Sequence, residues 1–287
     1  MYTVKKTAFG AYTAYVLADT SAGTTATIVP EKGGMLTSFT KDGQEYIWLR
    51  EPNFSLPERP RCAVPVLFPA CGRSPEAGNL FGGKSYPMDI HGVVHSKPWQ
   101  FVGSDTSDSA CVTVRIESDD ETRASYPFDF SVTLTYVLDG TALTVLQSYA
   151  NRGTVDLPFN FGFHPYFVIS DVRNLTFSVN ADTLADPAAG TQQPAPAAVD
   201  FPYDENETIR YYQGVHSPMA FTDSALERTV AVYFDEHFKN GVLWSQCPLG
   251  FVCVEPWNGF PGSLAAPQHE TLAPGECMDA ELSIVVL

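Results

Sequence analysis

Residues 131–145, SVTLTYVLDGTALTV, decide the fold class of this chain. Val132, Leu134 and Tyr136 alternate with polar residues, and the alternation resumes after Asp139-Gly140. Successive side chains on a β-strand point to opposite faces, and Asp-Gly is a frequent hairpin turn. The stretch therefore predicts two antiparallel strands joined by a tight turn, with one face buried.

The same alternation recurs on both sides of this hairpin, at Val112-Val114-Ile116, at Val230-Val232-Phe234 and in the closing residues 281–287 (ELSIVVL). No segment carries a long apolar stripe at helical spacing, and 22 prolines with 21 glycines divide the chain into short pieces. We predict a mainly β protein, a large antiparallel β-sandwich in which residues 1–287 form a single domain. The Ala/Pro/Gln-rich residues 185–202 are interpreted as a long surface loop rather than a linker, because strand patterns are similar on both sides.

Composition narrows the range of partners. The chain has 287 residues, 44% of them hydrophobic, which is enough for a substantial core. Its net charge of -16 disfavours nucleic acid and anionic membrane surfaces, and more weakly phosphorylated substrates. The first 20 residues lack the apolar segment of a signal peptide, so we expect a cytoplasmic protein with its six cysteines as free thiols.

The sequence NFGFHPYF at residues 160–167 places one titratable side chain in an aromatic, otherwise uncharged run. If the run is a strand, the phenylalanines of residues 159–163 point to one face, whereas Asn160, Gly162 and His164 point to the other. The first face resembles core. The second resembles a lined cleft, in which the missing side chain of Gly162 leaves room for a ligand. The alternative is a structural histidine at the end of a strand.

Two further polar residues follow apolar runs. Arg73 ends the sequence PVLFPACGR, and its alternative is an ordinary surface arginine. His91 precedes Gly92 at the expected end of a short strand, near Trp99. Sugars offer apolar C–H faces to aromatic rings and hydroxyls to histidine or arginine, so these residues suit a sugar site. A structural turn capped by His91 is the alternative.

Glu255 ends an almost wholly apolar run in the sequence FVCVEPWNG. A carboxylate in such a strand is costly unless it is paired or functional. Trp257, two residues later, is a candidate platform for a sugar ring. Metal-ligand spacing is absent from the sequence, and so are the G-x-S-x-G and G-x-G-x-x-G motifs. These observations favour a functional carboxylate at a sugar site, and they remove the usual hydrolase and dinucleotide-binding signals.

Taken in order, these stretches resemble the aldose 1-epimerase (galactose mutarotase) family, and in particular its shorter bacterial branch. The matching stretches are Gly33-Gly34, Glu45-Tyr46-Ile47-Trp48, PVLFPACGR, His91-Gly92, Asn151, GFHPYF, Glu255-Pro256-Trp257 and residues 272–276 (LAPGE). The resemblance implies a galactose-mutarotase-like β-sandwich with neither a metal nor an organic cofactor, acting on a small-molecule sugar as a monomer or homodimer. Such an enzyme interconverts the α and β anomers of a free aldose.

The resemblance also implies residue roles, with His164 as general acid and Glu255 as general base. The expected site residues are catalytic His164 and Glu255, and substrate-binding Arg73, His91, Asn160, Tyr166 and Trp257. Ring opening requires one proton delivered to the ring oxygen and one removed from the C1 hydroxyl, which suits one acid and one base.

The chain departs from the family pattern in two places. The pattern continues His-Gly with an arginine that this chain lacks, and His95 is the candidate substitute. For the aspartate that holds sugar hydroxyls in larger mutarotases, Asp223 and Asp235 are candidates. Because few arginines lie near the motifs, we expect a neutral sugar rather than a sugar phosphate.

Two other functions remain open at this stage. The first is a non-catalytic sugar-binding or sensing protein on the same fold, although binding alone does not require both an acid and a base. The second is a glycoside hydrolase, which needs two carboxylates beside the scissile bond. Asp89 is the candidate partner of Glu255 for that reaction.

Overall fold

The computed structural model describes residues 1–50, 54–55, 60–75, 78–187, 189–266 and 268–287. Antiparallel strands dominate it, so the predicted mainly β class is confirmed. The first strands are β1 (Tyr2–Phe9), β2 (Tyr12–Asp19), β3 (Thr24–Val29), β4 (Met35–Lys41), β5 (Gln44–Glu45), β6 (Val66–Leu67), β7 (Asn79–Phe81), β8 (Lys84–Tyr86), β9 (Gln100–Asp105), β10 (Ala110–Glu117), β11 (Phe130–Asp139) and β12 (Ala142–Asn151). The remaining strands are β13 (Leu157–Phe159), β14 (Gly162–Phe163), β15 (Tyr166–Val168), β16 (Leu175–Asp186), β17 (Thr191–Pro194), β18 (Thr208–Asp223), β19 (Arg228–Phe234), β20 (Asn240–Ser245), β21 (Phe251–Trp257), β22 (Glu270–Leu272) and β23 (Cys277–Val286).

Helical structure in the described residues is confined to short pieces. These are α1 (Asp120–Ser125) and three 3₁₀ turns at Val172–Asn174, Cys247–Leu249 and Ser263–Ala265. Asp119 caps α1, because its carboxylate accepts the backbone N–H of Thr122 at 2.7 Å. No helix in the described residues combines the length and the apolar character that crossing a membrane requires.

The strands form two principal sheets. Strands β1 to β5 make a meander in chain order. The large sheet follows the order β6-β14-β21-β20-β18-β19-β23-β12-β11-β10-β9, and β15, β16 and β17 extend it from β21 and β18. The predicted hairpin is its β11–β12 pair, in which Asp139 lies opposite Ala142 across a two-residue turn and Gly140 has a φ of 59°.

Apolar side chains of both sheets share one core. Leu17 and Ile28 of the small sheet and Val114 and Leu134 of the large sheet are fully buried in the same cluster. The Tyr136 hydroxyl donates to the Gly34 carbonyl at 2.7 Å, which gives this large buried ring a partner for its polar end. The two sheets therefore pack as a sandwich. That the whole chain is a single domain stays a prediction.

Residues 185–202 are not simply the loop that composition predicted. Asp186 ends β16, and Thr191 begins β17, which pairs with β16 as an antiparallel hairpin. Residue 188 lies outside the described residues. From residue 195 to 207 the chain is irregular. Part of this segment forms a strand because β16 pairs with β18. Ala/Pro/Gln composition does not encode such a long-range contact.

The aromatic run at residues 160–167 is also more broken than a single strand. It comprises β14 and the start of β15, separated by His164-Pro165. The phenylalanines of residues 159–163 are all fully buried in the main core, as predicted. The space beside Gly162, however, is filled by protein. Gly162 pairs with Trp257, and a methyl group at position 162 would lie 2.8 Å from the indole Cδ1 and 2.9 Å from the Pro256 carbonyl oxygen.

We therefore expect Gly162→Ala to lower the free energy of unfolding by about 1–3 kcal/mol, the usual cost of overpacking a tight site. The added methyl group must displace both a buried indole and a backbone carbonyl. Urea denaturation followed by fluorescence measures the loss. Gly103→Ala is the matched control, because a Cβ added on β9 meets nothing within 4 Å. Equal unfolding free energies for the two variants would contradict this packing account.

Candidate active site

A cavity of about 1160 Å³ opens on one face of the large sheet. Six of the seven predicted site residues line it: Arg73, His91, His164, Tyr166, Glu255 and Trp257. These residues come from three regions that are distant in sequence, so the fold brings together what the motifs identified separately. The walls also include part of the segment that composition had suggested was only a surface loop, namely residues 185–187, 191–193, 196 and 200.

His164 and Glu255 meet at the base of this cavity. Nε2 of His164 lies 3.4 Å from Oε2 of Glu255, and their side chains are only 9% and 2% exposed. A carboxylate removed from water to this extent requires a partner, and breaking a buried pair by removing one member usually costs about 3–5 kcal/mol. Removal of either member would therefore destabilise the protein, and the two titratable groups are of the types that acid–base chemistry uses.

Strand register creates this contact. Gly162 lies opposite Trp257, and Tyr166 lies opposite Cys253, in the same antiparallel register. His164 is midway between Gly162 and Tyr166, so it faces Glu255, which is midway between the other two. Val252 and Val254 of β21 enter the main core, whereas Cys253 packs in a separate cluster on the cavity side. β21 therefore has one face in the core and the other toward the cavity.

Aromatic rings fix the orientation of the His164 imidazole. Tyr166 stacks on it with ring centroids 4.7 Å apart and an interplanar angle of 9°. Trp244 approaches edge-on at 5.7 Å, and His91 does so at 5.2 Å. Rings packed on three sides limit rotation of the imidazole and exclude water from it, which preserves its alignment with Glu255.

His91 lies in a turn rather than at the predicted end of a strand. Its φ is 72°, a left-handed conformation that is uncommon outside glycine, and it is followed by Gly92 with a φ of 92°. The backbone N–H of Gly72 donates to Nδ1 of His91 at 3.0 Å. Because Nδ1 accepts this hydrogen bond, the neutral ring carries its proton on Nε2. His91 is thereby fixed as a hydrogen-bond donor through Nε2.

Charged residues line the cavity in nearly balanced numbers, three arginines and four carboxylates. They are Arg61, Arg73, Arg210, Asp186, Asp200, Glu207 and Glu255. Arg210 is occupied within the protein, since it donates to the carbonyls of Asp200 and Ile209 at 2.9 Å. Arg61 and Arg73 are exposed, and no ion pair links either of them to another residue in the described ranges.

The cavity residues that were not identified from the sequence include Tyr211, Trp244 and Glu207. Burial, with the nearby charges of Glu255 and Glu207, raises the pKa of Tyr211 to about 12, so its phenol stays protonated and can donate. The Trp244 indole N–H donates to Glu207 Oε2 at 3.0 Å. The tryptophan of β20 and the tyrosine of β18 lie on neighbouring strands, and only the order of the strands shows that both side chains face the cavity.

The remaining predicted residues lie elsewhere. Asn160 does not line the cavity; its Nδ2 donates to Ser263 Oγ at 3.0 Å, and its amide packs against Gly259. The chain leaves the strand conformation at residues 160–161, which turns the amide toward this loop. His95 is buried outside the cavity lining, so its suggested role as the missing arginine is not supported.

Neither candidate for the sugar-holding aspartate reaches the cavity. The carboxylate of Asp223 accepts from Ser170 at 2.7 Å and closes a turn, and Asp235 accepts from backbone N–H groups of His237 and Glu281. Asp89, the suggested hydrolase partner of Glu255, is exposed and also lies outside the cavity lining.

One group of side chains near the base has metal-ligand chemistry. Ligand atoms of His164, Cys253 and Glu255 all lie within 4.8 Å of one another. Metal binding requires a thiolate, but burial raises the pKa of the Cys253 thiol well above its ordinary value, with the Glu255 charge acting in the same direction. The thiol form therefore dominates, and Cys253 fits a packing role beside Tyr166 and Phe251.

Comparison with known proteins shows the family of this chain. The chain belongs to the aldose 1-epimerase family, whose model matches residues 14–285. It is 28% identical to the Slr1438 protein of Synechocystis sp. PCC 6803, whose crystal structure superposes with a TM-score of 0.90 over 95% of both chains.

Two curated relatives have similar identities. The plasmid protein LacX of Lactococcus lactis subsp. lactis is 25% identical over 260 residues, 81% of this chain and 84% of that protein. A putative glucose-6-phosphate 1-epimerase of Salmonella typhimurium is 24% identical over 243 residues, 78% of this chain and 76% of that protein. Family membership supports an epimerase of the mutarotase type.

The hydrogen bond from Gly72 predicts the tautomer of His91. In ¹⁵N-detected histidine spectra above the titration range, we expect Nδ1 of His91 to show an unprotonated shift and Nε2 a protonated one. His269 is the control, because its Nδ1 lies 2.6 Å from the Ala266 carbonyl oxygen, which only accepts, so it should show the opposite tautomer. A proton on Nδ1 of His91 would contradict the assigned donor role.

Proposed function

We propose that this protein is an aldose 1-epimerase that interconverts the α and β anomers of a free aldohexose. The observation that carries the proposal is the 3.4 Å approach of His164 Nε2 to Glu255 Oε2 at the base of the cavity. Both oxygens that exchange protons in anomerisation are bonded to C1. An acid and a base must therefore converge on one carbon, which this pair is able to do.

In the proposed mechanism Glu255 removes the proton of the C1 hydroxyl while protonated His164 delivers a proton to the ring oxygen. The bond from C1 to the ring oxygen breaks, and a carbonyl forms at C1. Rotation about the C1–C2 bond presents the opposite face of the carbonyl. Neutral His164 then recovers the proton from the hydroxyl as it attacks C1, and Glu255 returns its proton to the carbonyl oxygen, so acid and base are restored.

Other cavity residues suit the binding of a sugar. The Trp257 indole offers an apolar face for ring C–H groups, and its centroid lies 5.6 Å from that of His91. His91 donates through Nε2, and Tyr211 donates through its phenol, so both can bind ring hydroxyls. Arg73 provides a further donor at the rim of the cavity.

The site geometry argues against the two alternatives. A purely binding protein gains nothing from burying a carboxylate against an imidazole, because that arrangement costs desolvation energy. A glycoside hydrolase needs a second carboxylate beside the bond to be cleaved. Asp89, the partner expected from the sequence, is not part of the cavity. Of the other cavity carboxylates, Asp200 pairs with Arg210 and Glu207 accepts from the Trp244 indole.

We expect His164→Gln and Glu255→Gln to lower kcat by roughly 10²–10⁴-fold, the usual contribution of a general acid or base. Polarimetry of freshly dissolved α-glucose and α-galactose measures the rate. His216→Gln, which changes an exposed histidine, should match the wild type. Circular dichroism confirms folding of each variant, and wild-type rates in either folded cavity variant would refute the assignment.

A hexose 6-phosphate is a second candidate substrate. The observation that favours it is the exposure of Arg61 and Arg73 at the cavity, with no ion pair to another described residue. Guanidinium groups bind phosphate well through paired N–H donors. The Salmonella typhimurium relative carries a name of this kind. Against it, four carboxylates line the same cavity and would repel a phosphate.

We expect kcat/KM for glucose to exceed that for glucose 6-phosphate, because the carboxylates offset the two arginines. The double variant Arg61→Gln/Arg73→Gln tests the other candidate directly. A wild-type preference for the phosphate that falls by roughly tenfold or more in this variant, about 1.4 kcal/mol, would replace the free aldose with a sugar phosphate. Arg115→Gln on β10 is the matched control, since Arg115 lies outside the cavity.

A further inference from the structure

The Trp244 indole contacts both rings of the stack that contains His164. Its ring centroid lies 5.7 Å from that of His164 and 5.8 Å from that of Tyr166, and its plane is at 87° to both rings. Tyr166 and His164 are themselves stacked with centroids 4.7 Å apart. Because Trp244 is almost equidistant from the two rings, a shift of the indole changes the packing of both. The position of Trp244 therefore affects the alignment of His164 with Glu255.

Packing alone does not fix the orientation of this indole. Trp244 is only partly buried on β20, and one side of it borders the cavity. Phe251 packs against it with a centroid distance of 5.2 Å. A ring that borders open space can rotate toward that space, so a directional polar contact is needed to hold it.

Glu207 provides this polar contact. The indole Nε1 of Trp244 donates to Oε2 of Glu207 at 3.0 Å, and a carboxylate is a stronger acceptor than a neutral oxygen. Strand register explains the contact, because Trp244 lies opposite Ile209 and Glu207 is two residues before Ile209 on the same face. Diagonal neighbours on adjacent strands are within reach of long side chains.

The backbone that carries Glu207 is held close to β20. Thr208, the next residue, pairs with Ser245 at the end of that strand. The backbone N–H of Asp204 donates to Sγ of Cys247 at 3.4 Å. Both partners lie just after the tryptophan in the chain. The Glu207 carboxylate is exposed, but the segment before it and the strand after it are anchored beside the ring that it holds.

We propose that Glu207 is a positioning residue, which acts through Trp244 by holding the indole against His164 and Tyr166. The inference rests on the proposed function for the role of His164. Without the carboxylate, the indole is free to rotate toward the cavity, and the imidazole loses one of the rings that limit its motion. Fewer bound sugars then have the proton of His164 aligned with the ring oxygen. The loss falls on kcat rather than on KM.

Three variants test the hydrogen bond in polarimetry. Glu207→Leu removes the acceptor at similar size and should lower kcat roughly two- to tenfold, the range that the net free energy of one hydrogen bond allows, with KM close to the wild-type value. Glu207→Gln keeps an amide oxygen that accepts, so it should restore most of kcat. Glu205→Leu, an exposed glutamate outside the cavity lining, should match the wild type.

Two results in this series would overturn the proposal. The first is an unchanged kcat in Glu207→Leu, and the second is a Glu207→Gln variant as slow as Glu207→Leu. A raised KM at unchanged kcat belongs to the first case, because it would mean that the carboxylate contacts the sugar directly.

A double-mutant cycle tests whether Glu207 acts through Trp244. Trp244→Phe removes the indole N–H, so Glu207→Leu should lower kcat no further in that background. Losses that multiply in the double variant would show that the two residues act independently, which contradicts the proposal. Circular dichroism confirms that each variant is folded.

NMR supplies a readout that does not require turnover. The chain has four tryptophans, so its indole N–H signals are few, and Trp244→Phe assigns the one of Trp244. We expect Glu207→Leu to move this signal upfield and to shift the ring protons of His164, whereas Glu205→Leu moves neither.

The outcomes separate this inference from the proposed function. Epimerisation by the wild type, with unchanged Trp244 and His164 signals in Glu207→Leu, overturns the positioning role and leaves the proposed function standing. Shifts of both signals in a protein that epimerises no aldose defeat the proposed function alone, and they support the hold of Glu207 on His164 through Trp244.

Discussion

The buried contact between His164 and Glu255 is the constraint around which this molecule is organised. A carboxylate that is almost wholly removed from water is stable only where a partner is held beside it. Here the partner is another titratable group rather than a fixed cation. A permanently charged partner would maximise stability, whereas an imidazole leaves the pair able to exchange protons, as acid–base chemistry requires.

The sheet supplies the precision that this contact needs. β21 pairs with β14 and β15 in one register, which fixes His164 opposite Glu255 without any dedicated hinge or loop. Gly162 permits the pairing because any side chain there would collide with Trp257. The valines of β21 pack in the core on the other face of that strand. Displacement of the site would therefore also disrupt the packing of the sandwich.

Local patterns in the sequence were sufficient to predict much of this arrangement. Alternation at residues 131–145 gives the hairpin, and an isolated carboxylate in an apolar strand identifies Glu255, because both are properties of a few neighbouring residues. Tyr211 and Trp244 could not be found in this way. Alternation assigns each of them to one face of its own strand, but only the pairing of β18, β20 and β21 shows that these faces line the cavity.

Two of the expectations that the structure overturned have a common cause, since both depended on contacts beyond the local pattern. Asn160 follows the alternation of its run, yet the chain leaves the strand there and the amide binds Ser263. Residues 185–202 lack alternation, yet part of the segment forms the β16–β17 hairpin through pairing with β18. Composition therefore could not identify this part of the cavity wall.

Two-dimensional exchange NMR of free aldoses, with the protein at catalytic concentration, tests the central claim most directly. The account predicts that α and β anomeric protons of at least one aldohexose exchange far faster than in buffer alone, and that the excess rate scales with protein concentration. Exchange at the spontaneous rate for every aldose tested, with folded protein, would contradict it.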